Sequence, residues 1–366
     1  MYLAEYLPRL DSVIVTVDND SDGLDKVRIE SGDILVGDYR IPTPIQGKQD
    51  PRLTKLINYK KTKETVSLTI KLPAGESSES FMNYSVPSLS SPASTFVQKW
   101  SVQDLKNKTT MDSEGRNQFS FKCHACQAVL VDSDSKFFDM PSELWSEMME
   151  FWHCHKPNEN MSDLKERSWY KGIVKPSSDK EVVIGSYYLL IRRGQVEYGT
   201  ISIQDDGCVC NHCHANVGKY LEDISVFNRE MYFRLNKWAL DLQYGSIKES
   251  YQPYIYMYNM FMDKINSLAV RKFSINDKLF VWIINIGVNI SCGGKTHFNT
   301  LKILYSELKG QENDMIEEFT VPTNIYDEFV NILNKIHNTL PDTNKIMTMK
   351  SDDISQVYRI SYLPSN

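Results

Sequence analysis

An α+β fold is predicted for this chain of 366 residues by three observations. Runs of β-branched and alternating apolar residues fill its first part. Two short CxxC turns, each led in by a strand-like segment, stand in its centre. Helical and strand-like periodicities then mix through its closing part. Together they predict a β-rich N-terminal region over residues 1–118, a ribbon-like zinc-knuckle centre with an inserted helix over 119–218, and an α+β C-terminal region over 219–366.

In the first region, Ser12-Val-Ile-Val-Thr-Val17 is a β-branched run, and Val66, Leu68, Ile70 and Leu72 alternate with polar partners. Alternation of this kind marks a half-buried strand. Between residues 74 and 117 the composition shifts to Ser, Asn, Thr and Pro, which predicts long surface loops around one or two edge strands. In the centre, Phe119 and Phe121 alternate into Cys123, and Ala128-Val-Leu-Val131 can return as the second strand of a hairpin. The second turn repeats this grammar: Ile201 and Ile203, then Asp205-Asp-Gly207, then Cys210, closed by Gly218. Between the turns, Pro141 to Trp152 predicts an amphipathic helix, residues 141–155, with Leu144, Met148 and Trp152 on one ridge. A polar stretch from Lys156 to Lys180 reads as an inserted loop.

The third region carries Ile255, Tyr258, Met262 and Ile265 at helical spacing, and strands at Lys278 to Ile284 and Leu301 to Tyr305. Thr323 or Asn324 can cap a helix whose buried stripe is Phe329, Ile332, Ile336 and Leu340. Val357 to Leu363 closes the region as a strand.

Apolar residues make up 41% and charged residues 24%, ordinary for a globular protein. The length accommodates two or three domains with their own cores. A net charge of −6 argues against nucleic acid or an anionic membrane as the main partner, and Lys60-Lys61-Thr-Lys63 reads as a solvated face. Met1-Tyr-Leu-Ala-Glu lacks the basic start and apolar core of an export signal. The longest apolar run, Leu279 to Ile290, is interrupted by Asn285 and Asn289 and is too short to span a bilayer. The expected location is therefore the nucleus and cytoplasm, where seven cysteines stay as thiols unless a metal holds them. An odd count also fits a disulfide framework poorly.

The candidate chemistry lies in those cysteines. Cys123-His-Ala-Cys126 and Cys210-Asn-His-Cys213 offer four thiolates, the set that closes a tetrahedral structural Zn2+ site. The competing readings are two unrelated turns or a redox CxxC, but a redox motif opens a helix in a βαβ setting and neither turn is placed so. Cys208 precedes Cys210 by two positions, so on a strand both face one way and either can be the ligand; the CxxC geometry favours Cys210. His212 and His214 read as neighbours of the site rather than ligands. Trp152-His-Cys-His155 leaves three readings open: Cys154 and His155 belong to the metal site or to a second one, Cys154 is a thiol activated by a neighbouring imidazole, or the histidines simply favour a helix C-terminus. Cys292, in Ser291-Cys-Gly-Gly-Lys-Thr296, lacks the glycine spacing of a phosphate-binding loop; it reads as a turn thiol, with a catalytic cysteine as the second reading. GxSxG, HExxH and GxGxxG are absent from the sequence, which removes the support for a serine hydrolase, a metalloprotease or a dinucleotide enzyme.

The order of motifs is a strand into Cys123-x-x-Cys126, Met140-Pro-Ser-Glu-Leu-Trp145, Trp152-His-Cys-His155, and Cys210-x-x-Cys213 followed by Gly218. This series resembles the family of ubiquitin-conjugating-enzyme-binding proteins, or HECT-like ubiquitin ligases, whose fungal members are linked to pre-mRNA cleavage and polyadenylation. The resemblance is clearest over residues 119–218. It implies binding to a charged ubiquitin-conjugating enzyme, ubiquitin transfer, and association with the endonuclease subunit of the cleavage and polyadenylation complex. It carries the family's metal-type cysteines to Cys123, Cys126, Cys210 and Cys213, and its Cys-His pair to Cys154 and His155. No family nucleophile carries over, so Cys154 and Cys292 are the nominees for a thioester.

Two functional expectations follow: a ubiquitin-protein ligase working through one of those cysteines, or a non-catalytic scaffold or chaperone-like partner of the 3′-end processing endonuclease. For the second, the aromatic run Tyr251 to Tyr258 is the candidate docking surface, although aromatics at helical spacing usually face inward and core packing is the first reading of it.

Overall fold

The computed structural model describes residues 1–7, 10–19, 26–30, 33–45, 55–71, 98–108, 119–132, 134–140, 175–192, 200–204, 207–224, 229–308, 316–351 and 354–365. It is β-rich, with three α-helices among the described residues, broadly compatible with the α+β expectation. Contacts group the chain into two units, Met1–Ser90 with Ala269–Asn366, and Ser91–Leu268. This grouping differs from the three consecutive regions expected from the sequence, because strand pairing joins the two ends of the chain.

The first unit is organised by a ten-stranded sheet. Its main path runs Ile346–Ser351, Ile354–Leu363, Lys295–Glu307, Leu279–Cys292, Tyr2–Leu7, Ser12–Asp18, Thr65–Lys71, Lys55–Lys61, each antiparallel to the next. The alternating and β-branched runs seen in the sequence thus became strands. Val13, Val15, Val17, Val66, Leu68 and Ile70 pack with Ile34, Val36 and Ile41 of a small three-stranded sheet. Leu3, Ile290, Leu304 and Tyr362 pack instead with Ile336 and Leu340, from and just beyond the helix Thr323–His337. Pro322 is the residue before that helix, and its carbonyl accepts the N–H groups of Ile325 and Tyr326. The cap expected at Thr323 or Asn324 therefore lies at Pro322, with no side-chain cap hydrogen bond.

Two long strands, Leu279–Cys292 and Lys295–Glu307, form a hairpin far longer than the two short strands expected. Gly293 and Gly294 both hold positive φ, 56° and 76°, the requirement of a two-residue turn whose twist matches the flanking strands. The register slips at three places between Ile283 and Ile290, so bulges absorb the asparagines that break up the apolar run. Lys60, Lys61 and Lys63 are exposed, as a solvated face requires.

The second unit holds two sheets. The larger has seven strands, in the order Lys136–Asp139, Glu181–Ile184, Tyr188–Arg192, Arg229–Asn236, Asn216–Ile224, Gly207–Cys210, Ile201–Gln204. The smaller has four, Ile247–Ser250, Leu240–Tyr244, Ser120–Cys123, Val129–Asp132. One apolar core serves both: Phe121, Leu130, Leu240 and Leu242 from the small sheet meet Val182, Leu189, Ile191, Phe233 and Leu235 from the large one.

Within the stretch 74–117, where loops were expected, residues 98–108 are described, and Trp100 departs from that expectation. It is fully buried and sits 5.3 Å from Phe121 and 5.1 Å from Tyr251, ring to ring. Its indole N–H donates to Glu249, and the short helix Val102–Lys108 follows it. A single buried tryptophan among polar residues carries no periodicity, so the sequence pattern passed over it. The predicted helix 141–155 lies outside the described residues. Among the described residues, no helix is long and apolar enough to cross a membrane.

Candidate metal centre

Each CxxC turn grows out of a hairpin, as its flanking residues predict. Ser120–Cys123 pairs antiparallel with Val129–Asp132, and Gly207–Cys210 pairs with both Ile201–Gln204 and Asn216–Ile224. The two turns share one backbone pattern. The N–H of Cys123 donates to the carbonyl of Ala128, and that of Gln127 to the carbonyl of Cys123, both at 2.8 Å. In the second turn, Cys210 N–H donates to Ala215 at 2.9 Å and His214 N–H to Cys210 at 2.8 Å. The residue after each turn is left-handed, with φ 65° at Gln127 and 60° at His214. Glycine fits there without strain, and a side chain costs about 1–2 kcal/mol. Gly218 has a different duty. A Cβ there would lie 2.0 Å from the carbonyl oxygen of Arg234, so only glycine lets the strand after the second turn pair closely with Arg229–Asn236.

These hairpins bring the four predicted thiols together. The Sγ atoms of Cys123, Cys126, Cys210 and Cys213 all lie within 4.8 Å of one another. Across the turns, Cys123 Sγ lies 3.7 Å from Cys213 Sγ, and Cys126 Sγ lies 3.6 Å from Cys210 Sγ. A disulfide needs about 2.05 Å, so these are not bonded pairs. Four thiolates about 2.3 Å from a central zinc would stand about 3.8 Å apart, which is close to both of these edges. The cluster lies within metal-binding distance.

Burial pushes the Cys123 thiol up to about 12, against backbone hydrogen bonds from Cys126 and Ala125 that favour the thiolate. Burial also raises Cys126, opposed by the Ala128 backbone, whereas the Ala215 backbone bond lowers Cys213. Two of the four thiols, Cys123 and Cys210, are buried and two are half-buried, a set compatible with a divalent cation, which would favour the thiolate forms.

The first turn is gripped from below by a residue the sequence reading missed. Asp241 is fully buried on the strand Leu240–Tyr244, beside Cys123's pairing partner Leu240. Its carboxylate accepts from His124 Nδ1 at 2.8 Å, Gln127 Nε2 at 2.7 Å and Ser250 Oγ at 2.6 Å. Lys248 Nζ adds an ion pair at 3.0 Å. Burial works to raise this carboxyl, yet the four donors hold it below its ordinary range. An isolated aspartate between two leucines has no sequence signature that ties it to a turn 117 residues away.

The other candidates separate clearly. Cys208 is buried outside the cluster, paired with Gly218 and Ile203, and burial alone pushes its thiol to about 12; the CxxC reading chose the clustered cysteine. His212 and His214 are exposed. Cys292 is buried at the end of its strand, opposite Leu3, and burial pushes its thiol up. That is the reverse of what an attacking thiolate needs. Cys154 and His155 lie outside the described residues. The aromatic run turns inward: Tyr251, Ile255, Met257 and Tyr258 are buried, and Tyr254 and Tyr256 are half-buried against the core. It does not form an open docking surface, because its helix Pro253–Leu268 spends those rings on packing.

Fold and site together define a β-rich protein whose four thiols are gathered from two hairpin turns on separate sheets. Residues 5–351 match the family described as HECT-like ubiquitin-conjugating enzyme (E2)-binding. The chain belongs to that family. It is 26% identical over 368 residues to an uncharacterized protein of Saccharomyces cerevisiae, covering 94% of this chain and 95% of that one. It is also 26% identical over 220 residues to an uncharacterized protein of Schizosaccharomyces pombe, covering 59% of this chain and 54% of that one. No solved structure matches.

Proposed function

We propose that this protein is a zinc-stapled component of the ubiquitin system that binds a ubiquitin-conjugating enzyme. The family match across residues 5–351, which spans most of both units, carries this reading. The zinc part is supported by the two sulfur–sulfur edges of 3.7 and 3.6 Å. Cys123, Cys126, Cys210 and Cys213 would hold the ion. With four thiolates bound, zinc supplies a cross-link and offers no open position for a substrate.

Whether the chain also transfers ubiquitin turns on a thiol outside the cluster. Cys208 and Cys292 are both buried with raised thiols, which favours binding without a thioester at either. Cys154 is the remaining nominee of the ligase reading. The test is a single-turnover assay with a ubiquitin-charged conjugating enzyme. Capture of the enzyme with no thiol-sensitive ubiquitin adduct is the outcome expected of a binding protein. An adduct lost on Cys154→Ser makes the chain a ligase through that residue. No capture by a panel of charged conjugating enzymes refutes the reading as a whole.

The place of this binding in pre-mRNA 3′-end cleavage and polyadenylation, in the nucleus and cytoplasm, rests on the family resemblance. Its test is co-purification with the endonuclease subunit of the processing complex; recovery of the complex without this chain removes that part.

A further inference from the structure

We propose that Asp241 is the positioning residue of the metal centre: it holds the first CxxC turn in its ligand-presenting shape before the ion arrives. This inference rests on the zinc reading above and adds a cause for the site's geometry. Three features carry it. Asp241 has no exposed surface, yet it lies on a strand with apolar neighbours Leu240 and Leu242 and accepts four donors. A carboxylate in that position is costly unless it is paired and hydrogen-bonded. Two of those partners, His124 and Gln127, belong to the turn itself.

Gln127 is the informative partner. It occupies the left-handed position that glycine fills without strain. Its amide Nε2 reaches Asp241 Oδ2 at 2.7 Å and also the carbonyls of Cys123 at 3.2 Å and His124 at 3.1 Å. The side chain therefore ties the end of the turn to its beginning and both to the strand beneath. His124 completes the clamp: its backbone N–H donates to the Ala239 carbonyl at 2.9 Å while its ring reaches Asp241 Oδ1. Cys123 and Cys126 lie inside this frame, with Cys123 paired to Leu240 in the same ladder. Partners outside a ligand shell that orient the ligands typically change metal affinity by about 10–100-fold when removed.

The experiment is a cobalt titration of the full chain, followed by zinc competition, on four proteins: wild type, Asp241→Asn, Gln127→Ala and Ser250→Ala. Cobalt bound by four thiolates gives an intense sulfur-to-metal charge-transfer band. Asp241→Asn and Gln127→Ala are expected to weaken cobalt and zinc by about 10-fold or more, while the band at saturation keeps its shape. Ser250→Ala removes a donor that touches Asp241 but not the turn, and should change affinity by less than about threefold. Gln127→Ala keeps the test open where Asp241→Asn fails to fold. Equal losses in Ser250→Ala and Gln127→Ala would make Asp241 a general packing residue and overturn the inference. So would unchanged affinity in Asp241→Asn and Gln127→Ala. A wild-type chain that binds neither cobalt nor zinc overturns the metal reading itself, a separate failure seen before any variant is compared.

Discussion

Removing the metal should loosen the second unit by an amount set by chain length. The cluster joins Cys126 to Cys210, 84 positions apart in sequence, and joins a turn on the four-stranded sheet to one on the seven-stranded sheet. A cross-link of that span withdraws loop-closure entropy from the unfolded chain. The usual relation gives about 4.5 kcal/mol for a loop of roughly 84 residues, or about two thousand-fold in an opening equilibrium. Hydrogen exchange read by mass spectrometry is the assay, on peptides covering 119–132 and 207–224, with and without a strong zinc chelator. Exchange in both segments should accelerate together by about 10³-fold on chelation. Cys213→Ser should reproduce the effect without chelator. Zinc stoichiometry of the purified chain is measured in parallel and should be one. Unchanged protection after verified removal of the ion would refute the reasoning, because the cluster would then contribute no cross-link.

Three more outcomes are expected. Gly218→Ala places a methyl 2.0 Å from the Arg234 carbonyl, so it should cost about 3 kcal/mol in urea unfolding and weaken metal binding by displacing Cys210 and Cys213. Lys237 is fully buried, and burial holds its amine down to about 7 from 10.5, against the pull of Asp139 and Asp104. Its Nζ donates to the carbonyls of Lys99 and Ser186, which a neutral amine can do. Between those two pH values the unfolded chain keeps a proton that the folded chain releases, so stability should rise with pH by up to about 1.4 kcal/mol per unit. Urea unfolding at pH 7.5 and 9 should show that slope in the wild type and lose it in Lys237→Met. Cys292→Ser should cost about 1–2 kcal/mol through its buried hydroxyl and leave capture of a charged conjugating enzyme unchanged; a wild-type ubiquitin adduct that the folded variant lacks would reinstate Cys292 as a nucleophile.

Much of this architecture was legible because it is written in local patterns. Alternation marked Thr65–Lys71 and the strands that carry each CxxC turn, and helical spacing marked Pro253–Leu268 and Thr323–His337. The four cysteines were legible for the same reason: a turn that points two thiols one way is a local device. What escaped depends on distance. Trp100 is buried by residues from Phe121 to Tyr251, and nothing in its own neighbourhood announces that. Asp241 acquires its meaning from His124 and Gln127 across a ladder. The inward facing of the aromatic run was legible too, because aromatics at helical spacing face a core; which core residues meet it was not.

The pairing of Tyr2–Leu7 with the far end of Leu279–Cys292 has a consequence for synthesis on the ribosome. Leu3 meets Cys292 in that ladder, so the first strand waits for a neighbour made about 290 residues later, some 15–60 s at ordinary elongation rates. The second unit has no such delay. Its described strand pairs all lie between Ser91 and Leu268, so both cysteine turns can meet and take up an ion while the nascent chain still lacks the long hairpin. A ribosome stalled before Leu279 would therefore present all four cluster thiols while Tyr2–Leu7 has, among the described residues, only Ser12–Asp18 to pair with.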